Sequence, residues 1–96
     1  VNQVVLTACI AEASALRYTP AGLPALDCRL EHESEVEEAG QARQVKVAVK
    51  AVAFGSLAET LARQPIGSPW RFSGFLATPR NGKHPVLHIQ SFSQVQ

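Results

Sequence analysis

Methionine is missing from the sequence altogether, tryptophan and tyrosine occur once each, and cysteine occurs twice. Without Met, the initiator residue is not in the chain as given. Cys9 and Cys28 stand alone inside strand-like runs, whereas a metal site needs three or four ligands at suitable spacing. Two cysteines are also too few for the disulfide framework of a small secreted domain. Both are expected as buried free thiols, with one disulfide as the minor alternative.

No stretch comes near the roughly 20 apolar residues that span a bilayer. Val1 to Ala11 carries no basic segment of the kind that opens a secretion signal. A cytoplasmic protein with no membrane partner is the expectation. Catalytic motifs are lacking too: there is no Gly-rich phosphate loop, HExxH, GxSxG or CxxC. Ser and His occur without the spacing of a nucleophile and its base, so neither an enzyme activity nor a cofactor is expected. His32 lies among Glu31, Glu33 and Glu35. Adjacent residues of an extended strand point to opposite faces, so these groups diverge and make no metal site.

The chain is 46% hydrophobic and 18% charged over 96 residues, which allows one domain, residues 1–96, with a real core. A domain this small buries only about two-thirds of its unfolded surface, so self-association would help to stabilise it. The net charge of +1 hides an uneven distribution. Glu31, Glu33, Glu35, Glu37 and Glu38 account for five of the eight acids, leaving three to face nine Lys and Arg. A basic face beside an acidic loop is one reading, and a merely solvated run of Glu is the plainer one.

Val4 to Ala11 is β-branched and apolar on both faces, which predicts a strand covered from both sides, within the fold or by a second copy. The Pro-x-Gly of Arg17-Tyr18-Thr19-Pro20-Ala21-Gly22 predicts a turn, after which Leu23 to His32 returns as a second strand with Pro24 at its start or edge. The Glu-rich stretch to Gly40 shows no strand periodicity and is expected as a long, mobile loop. Val45, Val47, Val49 and Ala51 then alternate with Lys46, Ala48 and Lys50, giving a third strand with a basic outer surface. Phe54, Leu57, Ala58 and Leu61 form the apolar stripe of a short helix. Ser56 and Glu59 have capping-box spacing, and Pro65 follows as a stop. Trp70 to Ala77 is a fourth strand in which Gly74 suggests a bulge. Arg80-Asn81-Gly82-Lys83 reads as a hairpin, and Val86 to Val95 as the fifth strand.

Three strands, a helix and two further strands match the all-β, five-stranded OB barrel, whose helix lies between strands three and four. Such barrels bind along strands two and three, bordered by the loops between strands one and two and between strands four and five. Arg17, Arg43, Lys46, Lys50, Arg80 and Lys83 would collect there, with Tyr18 as the best-placed stacking group. His88 is expected to pack or hydrogen-bond at the barrel surface, Trp70 to be partly buried, and most of the four Phe to lie in the core. On these residues alone the face suits either a single nucleic-acid strand or another OB ligand.

Asn2-Gln3-Val4-Val5-Leu6, Leu16 to Gly22 and Phe54-Gly55-Ser56-Leu57-Ala58-Glu59 resemble bacterial single-stranded DNA-binding proteins. More specific are Leu30-Glu31-His32, Ser34, Glu37-Glu38-Ala39-Gly40, Arg43-Gln44, Gly74-Phe75-Leu76 and Val86-Leu87-His88. Together they resemble the primosomal replication protein N family, shortened relatives of those proteins that serve replication restart. The resemblance runs from residue 2 to residue 95 and implies a homodimer that binds single-stranded DNA. It also implies contact with, and stimulation of, the restart helicase, and hand-off to the next primosome component. No Gly/Pro-rich tail with an acidic tip follows the barrel here, so the recruiting role of such tails is not expected. Two departures stand out: on the third strand Lys46 stands where the best-known relatives carry Trp, and in the preceding loop Gln41 stands where they carry another aromatic. The last hairpin also looks shorter and poorer in Lys. Weaker and more salt-sensitive DNA binding is therefore expected. A minimal DNA-coating paralogue, or an adaptor whose OB face docks a protein, are the other readings.

Overall fold

The computed structural model describes residues 1–95. Its elements are β1 (Val4–Ala13), β2 (Arg17–Tyr18), β3 (Pro24–Glu38), β4 (Gln41–Phe54), α1 (Ser56–Ala62), β5 (Pro69–Ala77) and β6 (Val86–Ser93). The sheet runs β1-β5-β6-β4-β3-β2 and closes on itself through a further β1–β3 pairing. Five long strands thus make the OB barrel, and the two-residue β2 is an appendage on β3. The helix lies between the third and fourth long strands, as the sequence order implies.

Alternation along each strand builds the interior. Ala8 and Ile10 of β1, Leu26, Cys28 and Leu30 of β3, and Ala51 and Ala53 of β4 meet Phe72 of β5 and Leu87 and Ile89 of β6. Ala58 and Leu61 of α1 join the same cluster. Fully buried side chains such as Phe72, Leu26 and Leu30 each stabilise the fold by about 1.5–3 kcal/mol. Both cysteines are free, Cys28 buried and Cys9 partly so.

The bulge expected near Gly74 is present, but its extra residue belongs to the partner strand. Ser73 pairs with Ser91 while Gly74 pairs with Ile89, so Gln90 of β6 is passed over. The skip changes the phase of β6, and Leu87, Ile89 and Phe92 can then all turn inward. Gly74 permits the close approach, since a Cβ there would lie 1.9 Å from the carbonyl oxygen of His88.

Three local expectations need correction. Gly55, not Ser56, is the helix N-cap and no side chain caps the first turn, so the Ser56–Glu59 capping box does not form. Phe54 ends β4 and does not belong to the helix stripe; it is half-exposed, while Ala58 and Leu61 are buried. Asn81-Gly82 is not the centre of a tight hairpin. Gly82 N–H donates to the Pro79 carbonyl at 2.9 Å, which puts Arg80 and Asn81 in the middle of the turn. Pro79 and Pro85 lack the N–H a ladder needs, so eight residues, 78–85, stay outside the strands.

The largest departure concerns the Glu-rich stretch. It is no loop: β3 and β4 continue in register through it, from His32 opposite Val47 to Glu38 opposite Gln41. The last β1–β3 partner is Glu31, so these seven residue pairs form a two-stranded arm about 20 Å long. Ala39 and Gly40 close it with φ of 53° and 78°, the positive pair that a two-residue primed turn requires. Principal extents of 50 × 29 × 22 Å and a radius of gyration of 14.2 Å, against about 12.5 Å for an ordinary globule of this length, reflect the arm. Its base is fastened to the barrel by His32, whose Nδ1–H donates to the Thr7 carbonyl at 2.6 Å while Nε2 pairs with Ser34 Oγ at 2.7 Å.

Candidate nucleic-acid interface

One face of the β3–β4 ladder points away from the core. From β3 it carries Asp27, Arg29, Glu31, Glu33, Glu35 and Glu37; opposite them on β4 stand Val52, Lys50, Ala48, Lys46, Gln44 and Ala42. Lys46 and Lys50 therefore share this face, about 13 Å apart along the strand. His32 projects from the other side, which separates it from the neighbouring carboxylates.

Charge on the face is largely compensated. Arg17 Nε donates to Asp27 at 2.6 Å and its Nη2 to the other carboxylate oxygen at 3.2 Å. Arg29 bridges Glu12 at 3.1 Å and Glu31 at 2.9 Å. These partners hold both guanidinium groups above their ordinary pKa, Asp27 acting on Arg17 and chiefly Glu12 on Arg29. Arg43 meets Glu38 at 3.2 Å. Lys46 stands directly across from Glu33, whose carboxylate accepts a hydrogen bond from Gln44 at 2.7 Å. Among the described residues, Lys46, Lys50, Arg80 and Lys83 make no ion pair within 4.0 Å.

The expected site residues fall into separate groups. Lys50 lies beside Arg29 in a groove of about 320 Å³ that Asp27 and Val86 also line. Val86 follows directly on the 78–85 loop with Arg80 and Lys83, so that loop ends on the Lys50 side of the face. Lys46 lines a second groove, about 610 Å³, between β1 and the base of the arm. Arg43 lies out on the arm. Arg17 pairs with Ala25 and Tyr18 with Pro24, so these two neighbours of β2 turn to opposite faces. Tyr18 is exposed. Trp70 is partly buried against the core, packs edge-on to Phe92 at 5.0 Å and donates from Nε1 to Ser68 Oγ at 2.8 Å.

A feature outside the expected set completes the face. Phe75 of β5 stacks on His88 of β6 with ring centroids 4.8 Å apart and planes 15° from parallel. Phe54 of β4 lies on the other side of His88, at 6.0 Å and 32°. His88 is the register partner of both Val52 and Phe75, which puts the rings on the outward side, in line with Lys46 and Lys50. None of the three packs against the core cluster, contrary to the expectation that most Phe are interior; Phe72 and Phe92 alone among the four do so. Beneath the strip, Val52 and Ala25 are buried yet stand outside the core cluster. The signal was available in the spacing: 46, 50 and 54 keep one parity along β4, once Phe54 is counted as strand.

The family model described as another single-strand binding protein family matches residues 2–91. The chain is similar to the replication restart protein PriB of Bordetella pertussis, 46% identical over 98% of this chain and 89% of that protein. The PriB of Nitrosomonas europaea is 36% identical over 93% of this chain and 83% of its own. Among solved structures, PriB from Ralstonia solanacearum superposes with a TM-score of 0.90 at 35% identity, covering 100% of this chain and 99% of that one. The single-stranded DNA binding protein from Thermus aquaticus shares the fold, with a TM-score of 0.79 at 23% identity, this chain covering 50% of its length. By sequence and by fold alike, the chain belongs to the PriB family of replication restart proteins, within the wider single-strand binding family.

Proposed function

We propose that this protein binds single-stranded DNA across the outward face of β3, β4 and β6 and acts, without chemistry of its own, as an accessory factor of the restart primosome. The observation that carries the reading is the alignment of Lys46, Lys50 and the Phe54–His88–Phe75 strip on one surface. Ammonium groups follow a phosphate backbone, and exposed rings accept unpaired bases on their faces. Membership of the PriB family and the similarity to replication restart proteins support the replication-restart setting. Contact with the restart helicase, its stimulation, and assembly as a homodimer are parts of the same proposal.

The charge arrangement supports weak, salt-sensitive binding. Arg17, Arg29 and Arg43 already have carboxylate partners, so of the basic residues expected at this face Lys46, Lys50, Arg80 and Lys83 are the ones free to displace counterions. Four such contacts give a slope of about −3 for log affinity against log salt. Fluorescence anisotropy of a labelled oligothymidylate over a salt series, with duplex DNA in parallel, tests this. Replacing Lys46→Ala together with Lys50→Ala is expected to reduce the slope by about 1.4 and the affinity at 0.1 M salt by about twenty-fold. If the double variant kept its affinity but no longer stimulated the helicase, the face would be a protein-docking surface.

A further inference from the structure

Building on the single-strand reading, we infer that His88 makes DNA binding proton-linked: it is the middle plane of the ring strip and becomes a fifth cation of the face when protonated. Imidazole is the side chain that changes charge between about pH 5 and 8. Here it lies flat against Phe75 at 4.8 Å and beside Phe54 at 6.0 Å. A protonated ring in that position is attracted to the faces of its neighbours, so acquiring the proton need not disperse the strip. The platform keeps its shape and gains charge.

The surrounding charges set the direction of the coupling. On β4, Lys50 occupies the same face two residues before Val52, the partner of His88. On β3, Asp27 stands opposite Val52, but its carboxylate is engaged by Arg17. On β5 the outward neighbours of Phe75 are Ser73 and Ala77, and on β6 Val86 and Gln90 flank the ring, all uncharged. The 78–85 loop adds Arg80, Lys83 and His84. A phosphate laid along this surface attracts the charged imidazole, so the complex takes up a proton and binding tightens as pH falls.

Anisotropy with a labelled 20-nucleotide oligothymidylate at pH 5.5 and 7.5 tests the coupling, because thymine has no group that titrates in this range. One extra single-strand contact at 0.1 M salt corresponds to about five-fold tighter binding at pH 5.5 and a salt slope steeper by about 0.7. His88→Phe keeps three rings but removes the titrating one, so the ratio of its affinities at pH 5.5 and pH 7.5 is expected to fall from about five to about one, whatever its affinity at pH 7.5. His84→Gln is expected to keep that gain. Retention of the gain in His88→Phe, or its loss in His84→Gln, would overturn the assignment. Should His88→Phe not fold by circular dichroism, calorimetry of the wild type at pH 6.5 in buffers of different ionisation heat gives the proton uptake directly; no uptake refutes the coupling. Wild-type binding that is present but flat with pH removes this inference alone. No binding at either pH removes the single-strand reading as well.

Discussion

Cys28 sits on β3 between Leu26 and Leu30, facing the barrel interior, and pairs across the sheet with Ala13 and Ala51. Burial pushes its thiol up to about 11, and the neighbouring Asp27 carboxylate adds to the rise by opposing a thiolate. A raised pKa means that the folded state holds the proton more firmly than the unfolded chain does. The associated stability is fully present below about pH 9, the ordinary value for the thiol, and is lost as pH rises from there through about 11. Wild-type protein should therefore lose Tm more steeply than Cys28→Ala between pH 9 and pH 11, with parallel curves at neutral pH. Identical slopes in thermal melts over this window would show that Cys28 does not contribute. The same burial makes Cys28 a poor nucleophile, since the reactive species is the thiolate.

At the scale of elements, the arm is where reading and structure part. Strand alternation was legible wherever Val, Ile or Leu marked one face, as in Val45 to Ala51. From Glu33 to Glu38 that marker fades: carboxylates sit at 33, 35, 37 and 38, with only Ser34 and Val36 between, so the chain reads as solvated loop. The turn was concealed as well, because Ala39 adopts a left-handed φ that Asn or Gly usually supplies. Conversely, Asn81-Gly82 marked a hairpin that does form between β5 and β6, but its flanking prolines lengthen the connection to residues 78–85 in place of a tight two-residue turn. The arm also bears on binding, since it sets Glu33 directly across from Lys46, with Glu31 and Glu35 on the diagonals. An opposed pair about 5 Å apart in a watery setting amounts to roughly 0.8 kcal/mol, or about four-fold in affinity. Glu33→Gln should accordingly tighten oligothymidylate binding by up to about four-fold at low salt, and less as salt rises. Made in a Lys46→Ala background, the same change should have little effect. An equal gain in both backgrounds would place the influence of Glu33 elsewhere.

For the molecule as a whole, barrel order and helix position were readable because five strand-like segments and one helical stripe follow one another in the order an OB barrel needs. Of the ring strip only Phe54 was marked, by its parity with Lys46 and Lys50; its meeting with Phe75 and His88 was not, because it arises from three strands that come together only after closure. The first strand carries the remaining question of assembly. Its inward residues Ala8 and Ile10 are buried, whereas Val5 on the outward side is half-exposed. Around it the register sets Ser73 and Thr7, then Arg71 and Ser93, a shallow surface with one charge. A second copy laid against this face by two-fold symmetry would cover Val5 and double the number of DNA faces. Val5→Asp would bury a carboxylate at the centre of such a contact, which is costly unless it is paired. Light scattering at micromolar concentration should then give a dimer for the wild type and a monomer for the variant. Binding to an oligothymidylate long enough to reach both faces should fall by at least about ten-fold in Val5→Asp, while binding to a short one stays the same, because only the long strand gains from linked sites. A wild-type monomer in that measurement would remove the dimer, and the surface around Val5 would then be open to solvent.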